Sequence, residues 1–234
     1  MSSLNPIALA LLQLPGVQGP DLTWTEQLRQ LWVDGGWMMW PLGAAALLGL
    51  IIIVWKLIDI TVKAGRTRKL LRDVDQLLTE RKVNEALAAA RESNSPAGRI
   101  LAAGLARQSE GTERVMKAIE NVGLIEMAGL ESGLVWLATV SNVAPLMGFL
   151  GTVVGMIQAF QAIELAGEVE ATLVAGGIKV ALITTAAGLT IAIPINIMHN
   201  YFVTRIDRMV LDMEESAQKM VDTLREIEVA AAAR

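Results

Sequence analysis

Apolar positions along this chain gather in three long blocks, and the stretches between them carry apolar residues at helical spacing without strand-like alternation. The first block is "WMMWPLGAAALLGLIIIVW", Trp37 to Trp55, with tryptophans suited to the two membrane interfaces. The second runs from Ser132 to Ile163, and the third begins near Leu173 and extends to about Phe202. A bilayer core needs about 20 residues at about 1.5 Å each. All three blocks therefore predict membrane helices, and the second and third are long enough to project into water at one end.

The pattern divides the chain as follows. Residues 1–36 form an N-terminal segment ending in an amphipathic interfacial helix, "LTWTEQLRQLWVDGGWMMW", that leads through Gly35 and Gly36 into the first span. Spans follow at 37–61, 132–163 and 173–203, with a long helical segment at 62–131, a short acidic loop at 164–172 and a helical tail at 204–234. "SNSP" breaks the long segment, with Ser95 as N-cap and Pro96 at the first helical position. Before it, "TRKLLRDVDQLLTERKVNEALAAARE" reads as one helix or two closely joined. Gly111 and Thr112 mark another break, after which the pattern predicts a helix running unbroken through Glu131 into the second span. The early "PIALALLQLPG" lacks a basic flank and reads as a surface segment rather than a signal peptide.

Charge sets an orientation. Lys56, Lys63, Arg66, Arg68, Lys69 and Arg72 follow the first span and Arg205 and Arg208 the third, whereas "ELAGEVEAT" has no basic residue. The positive-inside rule then puts the N-terminus outside and the long segment and tail in the cytoplasm. The fold expected is an all-α membrane protein, three transmembrane helices with long cytoplasmic helical extensions. Composition agrees: 53% of residues are hydrophobic and only 19% charged, with a mean hydropathy of +0.46.

The same composition restricts the chemistry. With no cysteine and one histidine, His199, neither a thiolate site nor a histidine-rich metal centre is available, and no G-x-x-x-x-G-K-[ST] loop announces a nucleotide. No enzyme active site, cofactor site or nucleic-acid stripe is visible. What invites attention is polar groups inside the spans, where an unpaired group costs several kcal/mol. Thr185 and Asn196, eleven residues apart, fall within about 20° of each other on a helix, with Ala181, Gly188 and Ala192 on the same face. That stripe suits close helix approach or a narrow pore wall. Lys179 and Thr190 form a second row, with Lys179 placed to snorkel outward. The second span carries Thr139, Ser141, Asn142 and Thr152 around Pro145, and Gly148, Gly151 and Gly155 give it small-xxx-small packing signals. Threonines in membrane helices also bond their own i−4 carbonyls, so a structural role competes with ion conduction at each position.

One absence is informative. Neither Ser132–Ile163 nor Ala171–Ile206 contains an Asp or Glu. A proton-coupled machine needs a group that titrates within the membrane. If this chain moves protons, a partner must bring the acid.

"WLATVSNVAPLMGFLGTVVGMIQAF" followed by "GGIKVALITTAAGLTIAIPINIMHNYF" resembles the two core helices of the MotA/TolQ/ExbB proton-channel family. "GGWMMWPL" and "NSPAGRILAAGL" resemble its ExbB/TolQ branch, and the likeness covers roughly residues 35–211. It implies a homopentamer of the bacterial inner membrane around a pore that holds two single-span ExbD- or TolR-like subunits, each supplying an aspartate. It further implies conversion of proton-motive force into mechanical work. By motif, Thr139 in "LAT" and Thr185 in "TTAAGL" match pore threonines, Thr152 in "GTV" matches a small or hydroxyl position, and Asn196 joins them on the expected proton path. Pro145, Gly148, Gly151, Gly155, Gly188 and Pro194 are expected to shape and pack the helices. The chain departs from the branch at "GIKVAL", where Val180 stands in place of a common glutamate. A non-conducting scaffold and a self-contained channel with Lys179 at its mouth are the rival readings.

Overall fold

The computed structural model describes residues 23–232, so the "PIALALLQLPG" segment lies outside the described residues. Those residues are helical with short connections, in seven α-helices. They are α1 (Trp24–Asp34), α2 (Met39–Thr79), α3 (Val83–Glu92), α4 (Pro96–Leu105), α5 (Thr112–Glu131), α6 (Leu134–Ala166) and α7 (Ala171–Ala232). Three helical stretches are long and apolar enough to cross a membrane: within residues 36–79, 112–166 and 171–227. The three predicted spans fall inside them.

Local chemistry explains the boundaries. The backbone N–H of Thr23 donates to the Glu26 carboxylate at 3.0 Å, which satisfies a free donor at the start of α1. A single 3₁₀ turn, Gly36–Met38, entered at Gly36 with φ +67°, joins α1 to α2. The "TRKLL…AAARE" stretch resolves as two helices, and the joint has Arg81 at φ +58°. Ser95 caps α4 as expected, its hydroxyl accepting from the Gly98 N–H at 3.1 Å with Pro96 in the first turn.

One expectation is corrected. The helix beginning at Thr112 stops at Glu131, and a new one starts at Leu134. Ser132 takes an extended ψ of 132° and Gly133 a φ of +88°, a left-handed conformation that a Cβ disfavours, so the chain turns there. The carbonyls freed at this break meet Lys56 from α2, whose ammonium donates to Leu130 O at 2.6 Å and Ser132 O at 2.7 Å. That lysine is 0% exposed. A cation at a helix C-terminus is favoured by the macrodipole as well as by the bonds.

The chain divides into two compact units. Among the described residues, one combines those up to Ala44 with Ala144–Thr190; the other combines Ala45–Val143 with those from Ile191 on. The second unit holds a continuous core in which Leu70, Val74 and Leu78 of α2 join Leu101 and Leu105 of α4 and Phe202, Ile206, Met209, Met213 and Met220 of α7. In the first unit, α1 packs through Trp32 against Gly43 and stacks edge-on with Trp40, ring centroids 5.7 Å apart.

Candidate functional site

In the first unit the facing parts of α6 and α7 approach backbone to backbone. A methyl group placed on Gly148 would lie 2.9 Å from Thr184 O and 3.3 Å from Gly188 Cα; one on Gly188 would lie 2.6 Å from Ala144 O. Gly155 and Gly177 meet in the same way, each within reach of the other's carbonyl, at 2.7 and 2.5 Å. Ala181 and Gly188 of the third-span stripe lie at this approach, opposite Gly155 and Gly148 of the second span. Gly177 is a contact the sequence reading passed over.

Two threonines sit in this crossing. Thr184 is 0% exposed and lies against Gly151, its hydroxyl donating to Val180 O and Ala181 O, both at 3.0 Å. Thr185, half-buried beside it, donates across to Gly148 O at 3.4 Å, a long bond that ties one helix to the other. Thr152 turns back on its own helix, donating to Phe149 O at 2.6 Å. Lys179 does not reach outward alone: it forms an ion pair with Asp34 at the end of α1.

The second unit holds Thr139, Ser141, Asn142 and Asn196. Thr139 is exposed and donates to Val135 O at 2.8 Å. It lines a cavity of about 390 Å³ together with Asn142, Glu131, His199 and Asp207. Asn196 accepts from the Asn200 amide at 3.1 Å, and Asn200 is in turn 3.3 Å from the His199 ring. Glu131, His199 and Asp207 beside Thr139 were missed by reading the spans alone, because all three lie at the ends of apolar blocks. Among the described residues no group of His, Cys, Asp and Glu is placed to hold a metal ion.

Two prolines lie inside these helices, Pro145 in α6 and Pro194 in α7. Proline lacks the N–H that would bond four residues back, so Pro194 frees the Thr190 carbonyl and Pro145 that of Ser141. In hydrocarbon such groups need another donor, whether side chain, water or neighbouring chain. The faces around them are apolar and open: Leu146, Phe149, Val153 and Phe160 on α6 and Leu182, Leu189 and Ile193 on α7 are exposed. Such surface belongs against lipid or another protein chain.

The model of the MotA/TolQ/ExbB proton channel family matches residues 92–215. An ExbB homolog of Methanothermobacter thermautotrophicus is 29% identical over 205 residues, covering 87% of this chain and 72% of that protein. The biopolymer transport protein exbB1 of Vibrio cholerae is 30% identical over 178 residues, 72% of this chain and 76% of its own. The Tol-Pal system protein TolQ of Haemophilus influenzae is 39% identical over 103 residues, 44% of each chain.

Proposed function

Since the chain belongs to the MotA/TolQ/ExbB proton channel family, in its ExbB/TolQ branch, we propose that it is the channel-forming subunit of an ion-driven motor. In this reading five copies surround a pore in the bacterial inner membrane, with the N-terminus outside. An ExbD/TolR-like single-span partner, two copies in the pore, supplies the aspartate that carries the proton. Proton flow past that aspartate drives movement of the partner against the ring, and the work is delivered to envelope transport or a related process.

The observation that carries the reading is the emptiness of the spans. Residues 132–163 and 171–206 hold five threonines within the helices' apolar parts and no carboxylate: Thr139, Thr152, Thr184, Thr185 and Thr190. Hydroxyls can relay or solvate a proton but do not titrate near neutral pH. An acid from another chain completes the path.

Thr184 is fully buried and bonded within its own helix, which leaves Thr185 as the hydroxyl of that pair available to a pore. Its 3.4 Å bond to Gly148 is weak enough to yield to a better partner. In the same reading Thr152 of the first unit, and Thr139 and Asn196 of the second, are further proton-path residues, Thr139 exposed beside Asn142 and His199. Gly148, Gly151, Gly155 and Gly188 hold α6 and α7 together, while Pro145 and Pro194 shape the two helices.

The hydroxyls of Thr139 and Thr190 bond their own helices, which is what a purely structural scaffold would also display. The test separates the two readings. Native mass spectrometry of the chain expressed with and without its single-span partner should give five copies enclosing two. Proteoliposomes of that assembly should then pass protons only while the partner's aspartate is intact. An oligomer that never takes up a partner, or flux indifferent to that aspartate, sinks the motor reading.

A further inference from the structure

Where α2 and α7 leave their apolar blocks, the second unit encloses a cavity of about 240 Å³. From α2 it is lined by Thr61, Thr67 and Arg68, and from α7 by Arg205, Arg208 and Asp212. Three guanidinium-bearing residues against one carboxylate leave this wall with two excess positive charges. Among the described residues none of the three arginines has an ion pair or a side-chain hydrogen bond. The Thr67 hydroxyl is a second and independent sign. The residue is 2% exposed, yet its oxygen is a buried side-chain atom without a hydrogen-bond partner. Buried polar atoms left unpaired cost about 1–3 kcal/mol.

We propose that this cavity binds a phosphate group at the membrane boundary. Guanidinium forks match phosphate oxygens in pairs, and a threonine hydroxyl can donate to a third oxygen. The cavity volume accommodates a phosphate with part of a headgroup. A simple excess of basic residues at one membrane face accounts for the charge. It does not account for arginines from two helices meeting at one cavity, nor for an orphan hydroxyl on a residue that lines it. Arg66 and Lys69 make the contrast: they flank Arg68 in sequence, but line a different cavity with Asp73 and Glu92.

That contrast supplies the control. The full-length protein in detergent is mixed with equal amounts of phosphatidylglycerol and phosphatidylcholine of identical acyl chains, and retained lipid is counted by native mass spectrometry. A second series adds inorganic phosphate. The wild type should retain phosphatidylglycerol over phosphatidylcholine. A basic residue beside an anionic lipid is worth roughly fivefold, so Arg205→Gln with Arg208→Gln should lower that retention about thirtyfold. Arg66→Gln with Lys69→Gln removes the same charge from outside the cavity and should change it less than about threefold. Thr67→Val keeps the side-chain shape and should weaken retention severalfold without lowering the melting temperature. Displacement of the lipid by inorganic phosphate, with phosphate adducts lost in the same variants, would assign the site to a soluble phosphate ester instead of a headgroup. Equal retention of both lipids without phosphate adducts, or equal losses in the two double variants, overturns the proposal.

Discussion

Substitution of Gly148 by alanine tests the helix crossing most directly. The added methyl would stand 2.9 Å from Thr184 O, 3.2 Å from Thr185 Cα and 3.3 Å from Gly188 Cα, where ordinary contact begins at 3.4 Å. All three obstacles are backbone, so no side chain can rotate away and the helices must part by about half an ångström. Forcing a methyl into a packed interior costs about 1–3 kcal/mol. Alanine also returns about 1 kcal/mol of helix propensity over glycine. Gly176→Ala isolates that second effect, because a methyl there meets nothing within 4 Å. The quantity to measure is therefore the difference between the two variants, about 2 kcal/mol, or roughly 4–8 °C in melting temperature for a chain of this length. Thermal unfolding in detergent, followed by tryptophan fluorescence and by size-exclusion, reads it. Gly151→Ala gives an internal check: its obstacle is the Thr184 side chain, so Thr184→Ala in the same chain should restore part of the loss. Equal melting temperatures for Gly148→Ala and Gly176→Ala would refute the backbone contact as a determinant of packing.

Four further outcomes are expected. Thr185→Ala should abolish partner-dependent proton flux while leaving the oligomer intact by native mass spectrometry; loss of the oligomer would make Thr185 a packing residue. Lys56→Met keeps most of the buried stem but strips two charge-assisted bonds from Leu130 and Ser132, worth about 2–4 kcal/mol after the saved desolvation of the ammonium, and amide exchange should accelerate at the end of α5. Arg81→Gly should be neutral or stabilise by up to about 1 kcal/mol, since φ +58° suits glycine better than arginine, whereas Arg81→Val should lower the melting temperature. At the same joint Lys82 and Gln76 bond Glu80 and hold its carboxyl below the usual 4.5. Its support is thus present above that value and lost as pH falls through the lower folded one, with faster exchange at Arg81 and Lys82.

The parts of the fold set by local chemistry were legible. Three apolar blocks gave three spans, and Ser95–Pro96 announced a helix start because cap and proline act on their own neighbours. Ser132–Gly133 deceived for the opposite reason: both residues are common in membrane helices, and only the adopted φ of Gly133 reveals the turn. Lys56 read as a mere marker of orientation, since the carbonyls it bonds are 74 and 76 residues away. The candidate site was half legible. Periodicity placed Thr185 on a small-residue face but could not rank it against Thr184, whose burial depends on Gly151 of another helix. Thr139 could not be joined to Glu131, His199 and Asp207 until the helices were folded, because each lies where an apolar pattern stops and its neighbourhood is tertiary.

The length of α7 has a mechanical meaning. α7 is 62 residues long, and its second-unit half, from Ile191 on, runs through Pro194 into the tail. Beyond Val203 it still has 29 residues, about 44 Å at 1.5 Å per residue. Phe202, Ile206, Met209, Met213 and Met220 seat that half of α7 in one core with α2 and α4, so any tilt of it has to carry those helices along. About 44 Å of α7 therefore shifts together with the second unit's core or not at all.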